Sequence, residues 1–362
     1  MQNDSPIIIL GSERSGTNLL RHLLSNHSRL AGPVSPHFIE VFFHISHFYD
    51  DLHQLENLEL LYGDMLKLAN HPYHDWQLNL KFTDYYEKYA PKSMIEMYHC
   101  MYLAKAEQQD KRRYVSKDIH AWQYAHQIKS VFPGTRFIYL VRDPRVHVRS
   151  WMKRPIFMLT PVEAVKKWKR DQYEILNLHY SGGIDWYMFK YEDLISDPQD
   201  EMSKLLQFLN EPVESSCFNT NPENAAESKW NDYWKNIGKQ INRENKEKFK
   251  DGLGMDDIEL IETLCFEEMN RFGYQPVSDS RWKPTYRYKL GLIEKRKKAL
   301  HRRKLVSQTW QEIFYNKQAE IKNIQQEARK RWQRKYPLIE TKINHTVHLK
   351  NLLRSINILR NY

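Results

Sequence analysis

Residues 7–18 read IIILGSERSGTN, and this stretch decides the fold. Its first four residues are apolar and are followed by Gly11, which is typical of a short strand buried in a parallel sheet. The four leucines that come next recur on one helical face: Leu19, Leu20, Leu23 and Leu24. This spacing predicts a helix from about Thr17 to Asn26. A glycine-containing loop between a strand and a helix offers backbone N–H groups and the positive end of a helix dipole, so it can hold a phosphate group.

Two further strands continue the pattern. Residues 136–141 read RFIYLV and follow a Pro-Gly turn signal, and residues 185–190 predict a third strand. Asp143 and Pro144 come soon after the second strand, as expected where Asp caps a helix and Pro opens it. Strands that alternate with helices predict an α/β fold, with a mostly parallel central sheet flanked by helices.

The chain divides by composition at about residue 280. Within residues 1–280, which we interpret as one α/β domain, the tract from about 42 to 111 is rich in Tyr, His and Leu and lacks strand-like alternation. It predicts a helical insert near the mouth of the sheet. Residues 281–362 predict a basic helical C-terminal extension. They hold 22 Lys and Arg against five acidic residues, a net charge of +17, whereas residues 1–280 carry −7.

This charge asymmetry suggests an anionic partner for the extension. Residues 349–359 place leucines and isoleucine on one helical face with basic residues beside them, so this helix could lie on an anionic membrane surface. The alternative is a helical arm that packs on the core or on a second copy of the chain, forming a homodimer. No nucleic-acid recognition motif is found, so no nucleic acid is expected as a partner.

The cysteine content and the N-terminal sequence indicate the cellular compartment of the protein. The chain has three cysteines, which fits a reducing environment better than a disulfide-bonded secreted domain. The N-terminal sequence does not resemble a targeting signal, and no apolar run approaches the roughly 18 residues that a spanning helix needs. We therefore expect a cytoplasmic protein, with peripheral membrane contact through the extension as an option.

The loop differs from the phosphate-binding loop of nucleoside triphosphatases. That loop reads GxxxxGK[ST], with a lysine for the terminal phosphates and a hydroxyl for magnesium. Gly11 and Gly16 keep the spacing, but Thr17 stands at the lysine position and Asn18 follows it. Arg14 lies inside the loop instead and can reach a phosphate or sulfonate oxygen. This pattern disfavours a kinase or triphosphatase.

Three segments, in order, resemble sulfotransferases that use PAPS (3′-phosphoadenosine 5′-phosphosulfate). Residues 132–145 read FPGTRFIYLVRDPR and, with Ser150 after them, resemble the 3′-phosphate-binding signature of that family. Residues 13–18, ERSGTN, are similar to the family's 5′-phosphosulfate loop, usually PRSGTT. YEDL at 191–194 is the third match. The resemblance covers about residues 6–275 and is closest in motif to the bacterial and protein-tyrosine branches.

The resemblance implies a three-layer domain like that of P-loop NTPases, PAPS as the donor cosubstrate, and no required metal. It assigns these residues to the nucleotide: Arg14, Ser15, Gly16, Thr17 and Asn18 at the 5′-phosphate, and Arg142 and Ser150 at the 3′-phosphate. Arg14 and Lys117 are the candidate catalytic cations, because sulfonate transfer moves negative charge onto the departing phosphate oxygen.

Two of these assignments have simpler alternatives. Arg142 could form a local ion pair with Asp143 beside a helix cap, and Lys117 could form a surface pair with Asp118. Lys117 resembles the lysine of a Lys-Asp-Pro or Lys-Thr-Pro motif, but Ile119 stands where proline is usual.

The acceptor hydroxyl needs a base within hydrogen-bonding reach. Many relatives place a glutamate shortly after the first helix, and Ser35 occupies that position here. His37 is the favoured candidate because its ordinary pKa suits the task. Glu40 and a residue of the helical insert are the alternatives.

The sequence therefore predicts a sulfotransferase that acts on an acceptor hydroxyl of a glycan, lipid, metabolite or tyrosine. One rival is a P-loop kinase of a small molecule or sugar. The other is a nucleotide-binding membrane adaptor without catalysis, which the serine at position 35 favours.

Overall fold

The computed structural model describes residues 5–118, 120–153, 159–221, 239–278 and 308–336. The strands are β1 (Ile7–Leu10), β2 (Leu30–Ala31), β3 (Arg113–Ser116), β4 (Arg136–Val141) and β5 (Trp186–Lys190). The helices of the first half are α1 (Thr17–Ser25), α2 (Phe38–Phe42), α3 (Leu55–Ala69), α4 (Phe82–Tyr89), α5 (Met94–Gln108), α6 (Ala125–Val131) and α7 (Pro144–Met152). Those of the second half are α8 (Pro161–Tyr180), α9 (Tyr191–Ser196), α10 (Pro198–Phe208), α11 (Met255–Leu264), α12 (Phe266–Phe272) and α13 (Gln308–Lys335). Short 3-10 turns span Phe43–Tyr49, Ala121–Tyr124, Ser215–Phe218 and Arg243–Lys246.

The described strands form one parallel sheet in the order β2-β3-β1-β4-β5. β1 lies at its centre, with Ile7 in register with Val115 of β3 on one side and Arg136 of β4 on the other. Because neighbouring parallel strands end at the same edge, the loops after β1, β3 and β4 lie side by side. The predicted α/β class with a mostly parallel sheet is confirmed. The sequence analysis did not identify β2 and β3, which are short.

Helices cover both faces of the sheet and make three layers. Ile8 and Leu10 face a large apolar core shared with the helices from α2 to α8. Ile7 and Ile9 face a smaller core shared with α1, α9 and α10. Successive side chains of β1 point alternately into two apolar cores, and this explains why its sequence is a continuous apolar run.

The predicted helix after β4 begins where the sequence indicates. Asp143 caps α7 by accepting a hydrogen bond from the backbone N–H of Arg145 at 2.8 Å, and Pro144 occupies the first turn. The carboxylate of Asp143 forms its ion pair with Arg145 at 2.6 Å, and Arg145 also pairs with Glu262 at 2.6 Å. The alternative pairing of Arg142 with Asp143 is therefore not the arrangement in the structure.

The tract from 42 to 111 is helical, as predicted, and packs against the edge of the sheet through aromatic side chains. Trp76 is buried between Phe38, at a ring distance of 5.6 Å, and Tyr102, at 5.0 Å. Trp76 also donates a hydrogen bond to the carbonyl of Val34 at 2.7 Å. These contacts fix the segment from 34 to 38 beside the end of β3.

One helix of the basic extension, α13, packs on the domain. Ile324 and Ala328 are buried in the main core, and Gln325 donates a hydrogen bond to the carbonyl of Val41 at 3.1 Å. Arg331 forms an ion pair with Asp64 of α3 at 2.7 Å. The proposed membrane-binding helix at 349–359 lies outside the described residues. Of the helices that the structure describes, none has the length and apolarity that crossing a bilayer requires.

Candidate active site

The candidate site lies at the edge of the sheet where β1, β3 and β4 end. In open α/β folds this edge is where ligands bind, because loops and helix N-termini converge there. The residues that the sequence assigns to the donor lie on the loops after β1 and β4, at the start of α1 and in the last turn of α7. His37 and Lys117 lie on the side toward β3.

The loop after β1 has the backbone of an anion-binding turn. Arg14 has φ 72° and Gly16 has φ 92°, so the loop turns through the left-handed region just before α1 begins at Thr17. A Cβ at Gly16 would lie 2.2 Å from the ring of Tyr191, so only glycine fits. The hydroxyl of Ser15 is fully buried and has no hydrogen-bond partner among the described residues. An unpaired buried hydroxyl destabilises the folded protein unless a ligand forms a hydrogen bond with it.

Arg142, at the end of β4, is held against this loop. Its Nη1 donates a hydrogen bond to the carbonyl of Arg14 at 2.8 Å, and its guanidinium lies 4.1 Å from the ring centroid of Tyr191. Its Nε is buried and lacks a hydrogen-bond partner in the part of the chain that the structure describes. The ring of Tyr191, from the YEDL segment, therefore supports both Gly16 and Arg142.

The two predicted anion sites are in direct contact. Arg14 Nε donates a hydrogen bond to Ser150 Oγ at 3.1 Å, although the two residues are 136 positions apart. Ser150 lies on α7, which follows Arg142, so the predicted 5′-phosphate loop and the predicted 3′-phosphate residues lie next to each other. The structure thus brings together Arg14, Ser15, Gly16, Arg142 and Ser150.

Further cations surround the Arg142 end. Burial lowers the pKa of Arg149, and the positive charge of Arg142 lowers it further. Burial also lowers the pKa of Lys248, with Arg149 and Arg142 adding to the effect. A cluster of like charges is unfavourable in the free protein and becomes favourable when a multiply charged anion binds. The sequence analysis did not identify Arg149 or Lys248, because the loop that brings Lys248 there comes from a distant part of the chain.

A small, partly open cleft lies beside the loop on its β3 side. Its lining is strongly polar: Ile9, Gly11, Glu13, Lys117, Asp118, His120, Trp122, Lys167 and Asp171. Glu13 pairs with Lys167 at 3.1 Å, and Ser12 Oγ donates to Asp171 at 2.6 Å. The acidic and basic groups of the cleft are therefore arranged in a connected network next to the anion loop.

Lys117 projects from the end of β3 toward the anion loop. Burial is the main cause that lowers the pKa of Lys117 to about 8; Glu13 opposes the shift, whereas Arg14 and Arg21 contribute to it. A perturbed amine in a cleft is a candidate functional group. Lys117 is not one half of an exposed surface pair, because Asp118 is buried and makes its hydrogen bonds elsewhere.

Ser35 and Asp118 form a buried polar pair at the position where relatives carry a glutamate. Ser35 Oγ donates to Asp118 Oδ1, and the hydroxyl of Tyr102 donates to Asp118 Oδ2 at 3.3 Å. Burial raises the pKa of Asp118 to about 6, although these hydrogen bonds oppose the shift. A carboxylate thus lies beside Ser35. The sequence analysis missed it because Asp118 reads as the partner of Lys117.

His37 begins α2 with φ 61°, and its backbone N–H donates to Ser35 Oγ at 3.0 Å. Its Nδ1 is buried, and no described residue hydrogen-bonds to it. Burial holds the pKa of His37 well below its usual 6.5, and the nearby ammonium groups of Lys317 and Lys117 lower it further. The imidazole is therefore neutral at pH 7 and able to accept a proton. Glu40, the alternative base, is exposed.

The fold and the two adjoining predicted anion sites are typical of open α/β proteins with a ligand site at the end of the sheet. The comparisons identify the family. Residues 6–215 match the model of the Sulfotransferase family, and the chain belongs to that family.

Among curated proteins, the chain is 27% identical over 251 residues to the omega-hydroxy-beta-dihydromenaquinone-9 sulfotransferase Stf3 of Mycobacterium tuberculosis, and equally to that of Mycobacterium bovis. The match covers 57% of this chain and spans 63% of the relatives' length. Among solved structures, the sulfotransferase domain from the curacin biosynthetic pathway aligns with a TM-score of 0.52 at 19% identity. That alignment covers 75% of this chain and 98% of the domain, and it supports the fold.

The burial of Asp118 predicts a pH-dependent effect of Asp118→Asn on stability. The pKa of Asp118 is raised from 3.8 to about 6 by folding, so the ionised form destabilises the folded state. Below about pH 3 both states are protonated and the effect vanishes; it grows between about pH 4 and pH 6 and is then nearly constant. Urea unfolding of the variant at pH 7 should show a gain of up to about 3 kcal/mol over wild type.

The matched control is Asp185→Asn, because Asp185 is exposed and pairs at the surface with Arg136. Its effect should stay within about 0.5 kcal/mol at every pH. A loss of stability for Asp118→Asn that is the same at pH 4 and pH 7 would contradict this account of the buried carboxyl.

Proposed function

We propose that the chain is a sulfotransferase that transfers a sulfonate group from PAPS to an acceptor hydroxyl. One observation carries the proposal: the hydrogen bond from Arg14 to Ser150, which joins the 5′-loop to the 3′-phosphate residues. One nucleotide with phosphates at both ends matches this pair of contiguous anion sites. Ser15 Oγ and Arg142 Nε are buried and have no hydrogen-bond partner among the described residues. Such phosphates would form hydrogen bonds with these two atoms.

In this proposal the 5′-phosphate lies at the start of α1. The backbone amides of Ser15, Gly16, Thr17 and Asn18 and the hydroxyl of Ser15 would bind it, with the helix dipole adding to the attraction. Arg142 and Ser150 would bind the 3′-phosphate, with Arg149 and Lys248 nearby. PAPS supplies an activated sulfonate. The protein supplies binding, orientation and charge.

Arg14 and Lys117 are placed to stabilise the charge that develops during transfer. As the bond between sulfur and the bridging oxygen breaks, negative charge moves onto the departing phosphate. Cations fixed at that oxygen stabilise the transition state more than the ground state. Both residues lie at the loop, and the charge of Arg14 is close enough to lower the pKa of Lys117.

We propose His37 as the base that removes the proton from the acceptor hydroxyl. Its imidazole is neutral at pH 7 and its Nδ1 has no partner among the described residues, so it can accept a hydrogen bond from a substrate. Asp118 is the second candidate, because its carboxylate lies beside Ser35 and its pKa is raised to about 6. Both residues contact Ser35, whose Oγ donates to the Asp118 carboxylate and accepts from the backbone N–H of His37.

The acceptor is a hydroxyl compound whose class is still open among glycans, lipids, metabolites and tyrosine. The curated relatives are named for a hydroxylated menaquinone. A terminal hydroxyl on an isoprenoid lipid is therefore the first acceptor to test. A kinase is the disfavoured rival, because Thr17 stands where a triphosphate-binding lysine is needed.

The donor assignment is tested by Arg142→Ala. Isothermal titration should show that the variant binds 3′-phosphoadenosine 5′-phosphate (PAP) roughly 10- to 100-fold more weakly, since one charge-assisted contact is lost. Binding of AMP, which lacks the 3′-phosphate, should change little. The control is Arg271→Ala, an exposed arginine that bonds to Tyr180 and lies away from the site. Equal weakening for PAP and AMP would refute the 3′-phosphate role of Arg142.

The base assignment is tested by His37→Gln. Transfer of radiolabelled sulfonate from PAPS to a hydroxylated acceptor should fall roughly 100- to 10,000-fold, because proton removal is lost. The affinity for PAP should stay within about twofold of wild type. His126→Gln, at an exposed histidine that bonds to Ser181, is the matched control. Wild-type turnover in His37→Gln together with a large loss in Asp118→Asn would transfer the role to Asp118.

A further inference from the structure

Helix α13 turns one face toward the domain, and that face contains a lysine. Residues at i, i+4, i+7 and i+11 share one side of a helix. On α13 this stripe is Lys317, Ile321, Ile324 and Ala328, and the last three pack on the main apolar core. Lys317 is as buried as they are, with only 4% of its surface exposed. A lysine rarely takes such a position unless it has a partner.

The surroundings of Lys317 are those of the candidate site. Its ammonium lies 4.3 Å from the ring centroid of Tyr73. Burial lowers the pKa of Lys317 to about 8; Glu40 and Glu13 oppose the shift, whereas Lys117 adds to it. The same ammonium also lowers the pKa of His37. The ring of Tyr73 lies 5.1 Å from that of His74, which lies 6.1 Å from that of His37, so these contacts link Lys317 to the proposed base from a helix about 280 residues further along the chain.

The ammonium group has unused hydrogen-bonding capacity. Lys317 forms no hydrogen bond or ion pair with any residue in the ranges that the structure describes. Its ammonium makes a cation–π contact with the ring of Tyr73. An ammonium has three donors, and Lys317 Nζ is not among the fully buried atoms that lack a partner, so these donors are accessible to a ligand. An accessible ammonium at the end of an otherwise apolar stripe is suited to bind an anion.

We propose that Lys317 is a further residue of the active site, one that binds the sulfonate group of the donor. The inference rests on the proposed function, and it concerns a residue outside the range 6–215 that matches the family model. In the proposed binding mode the 5′-phosphate would lie at Arg14, so the sulfonate beyond it would extend toward Glu13 and Lys117, which line one cleft and whose charges affect the pKa of Lys317. The extension would therefore complete the site.

During transfer Lys317 would keep its proton and donate hydrogen bonds to sulfonate oxygens. The bond between sulfur and the bridging phosphate oxygen breaks, with its electron pair leaving on that oxygen. The acceptor oxygen forms the new bond to sulfur, and its proton goes to the base. Lys317 and Lys117 would hold the sulfonate from two sides, so the group is oriented for in-line attack.

The test compares PAPS with PAP, which differ by the sulfonate alone. Lys317→Met should weaken PAPS binding roughly 10- to 100-fold by isothermal titration, as expected for one lost charge-assisted hydrogen bond. Its PAP affinity should stay within about twofold of wild type. Lys322→Met, an exposed position on the same helix, is the matched control and should bind both nucleotides as wild type does. Thermal unfolding should show an unchanged or higher Tm for Lys317→Met, because an amine is replaced by an apolar side chain at a buried site.

Equal effects on PAPS and PAP, or wild-type binding of both, would overturn the role of Lys317. Failure of the wild-type protein to bind PAP at all would instead overturn the proposed function. Amine acetylation of the wild-type chain gives a test without a variant. PAPS should slow labelling at Lys317 at least fivefold more than PAP does, measured by peptide mass spectrometry; equal protection would contradict the proposal.

Discussion

The site depends on the way the ring of Tyr191 sits between Gly16 and Arg142. Gly16 has no Cβ to displace the ring, and the guanidinium of Arg142 lies 4.1 Å from its centroid. Arg142 then donates to the carbonyl of Arg14, and Arg14 donates to Ser150. This chain of contacts joins two separate sequence motifs into one surface, which we propose binds the anionic donor. Its physical basis is the parallel sheet, which ends β1 and β4 side by side.

The second feature of the site is a set of ionisable side chains whose pKa values are shifted by burial. The pKa of Lys117 and that of Lys317 are each lowered to about 8, and that of Asp118 is raised to about 6. Each shift is toward the neutral form, so each charge destabilises the fold at pH 7. Perturbed groups of both signs in one cleft are typical of catalytic sites, where charge is retained for function.

Structural features that depend on neighbouring residues could be predicted from the sequence. The apolar run of β1, the leucine spacing of α1 and the Asp-Pro start of α7 each arise from neighbouring residues, so the anion loop and Arg142 could be placed on the right elements. Asp118 and Lys317 could not be identified in this way. Their burial depends on packing between α2, α5 and α13, and no local pattern reports contacts across 200 residues. The stripe of α13 was a usable signal, since a lysine interrupts an apolar face.

The central claim is that both anion sites bind one nucleotide. Isothermal titration of the wild-type chain with PAP, AMP and adenosine 3′-phosphate tests it most directly. The account predicts that one PAP binds per chain, at least 100-fold more tightly than either monophosphate, because both phosphate contacts are made at once. PAP binding no tighter than that of the better monophosphate, or two nucleotides bound per chain, would contradict it.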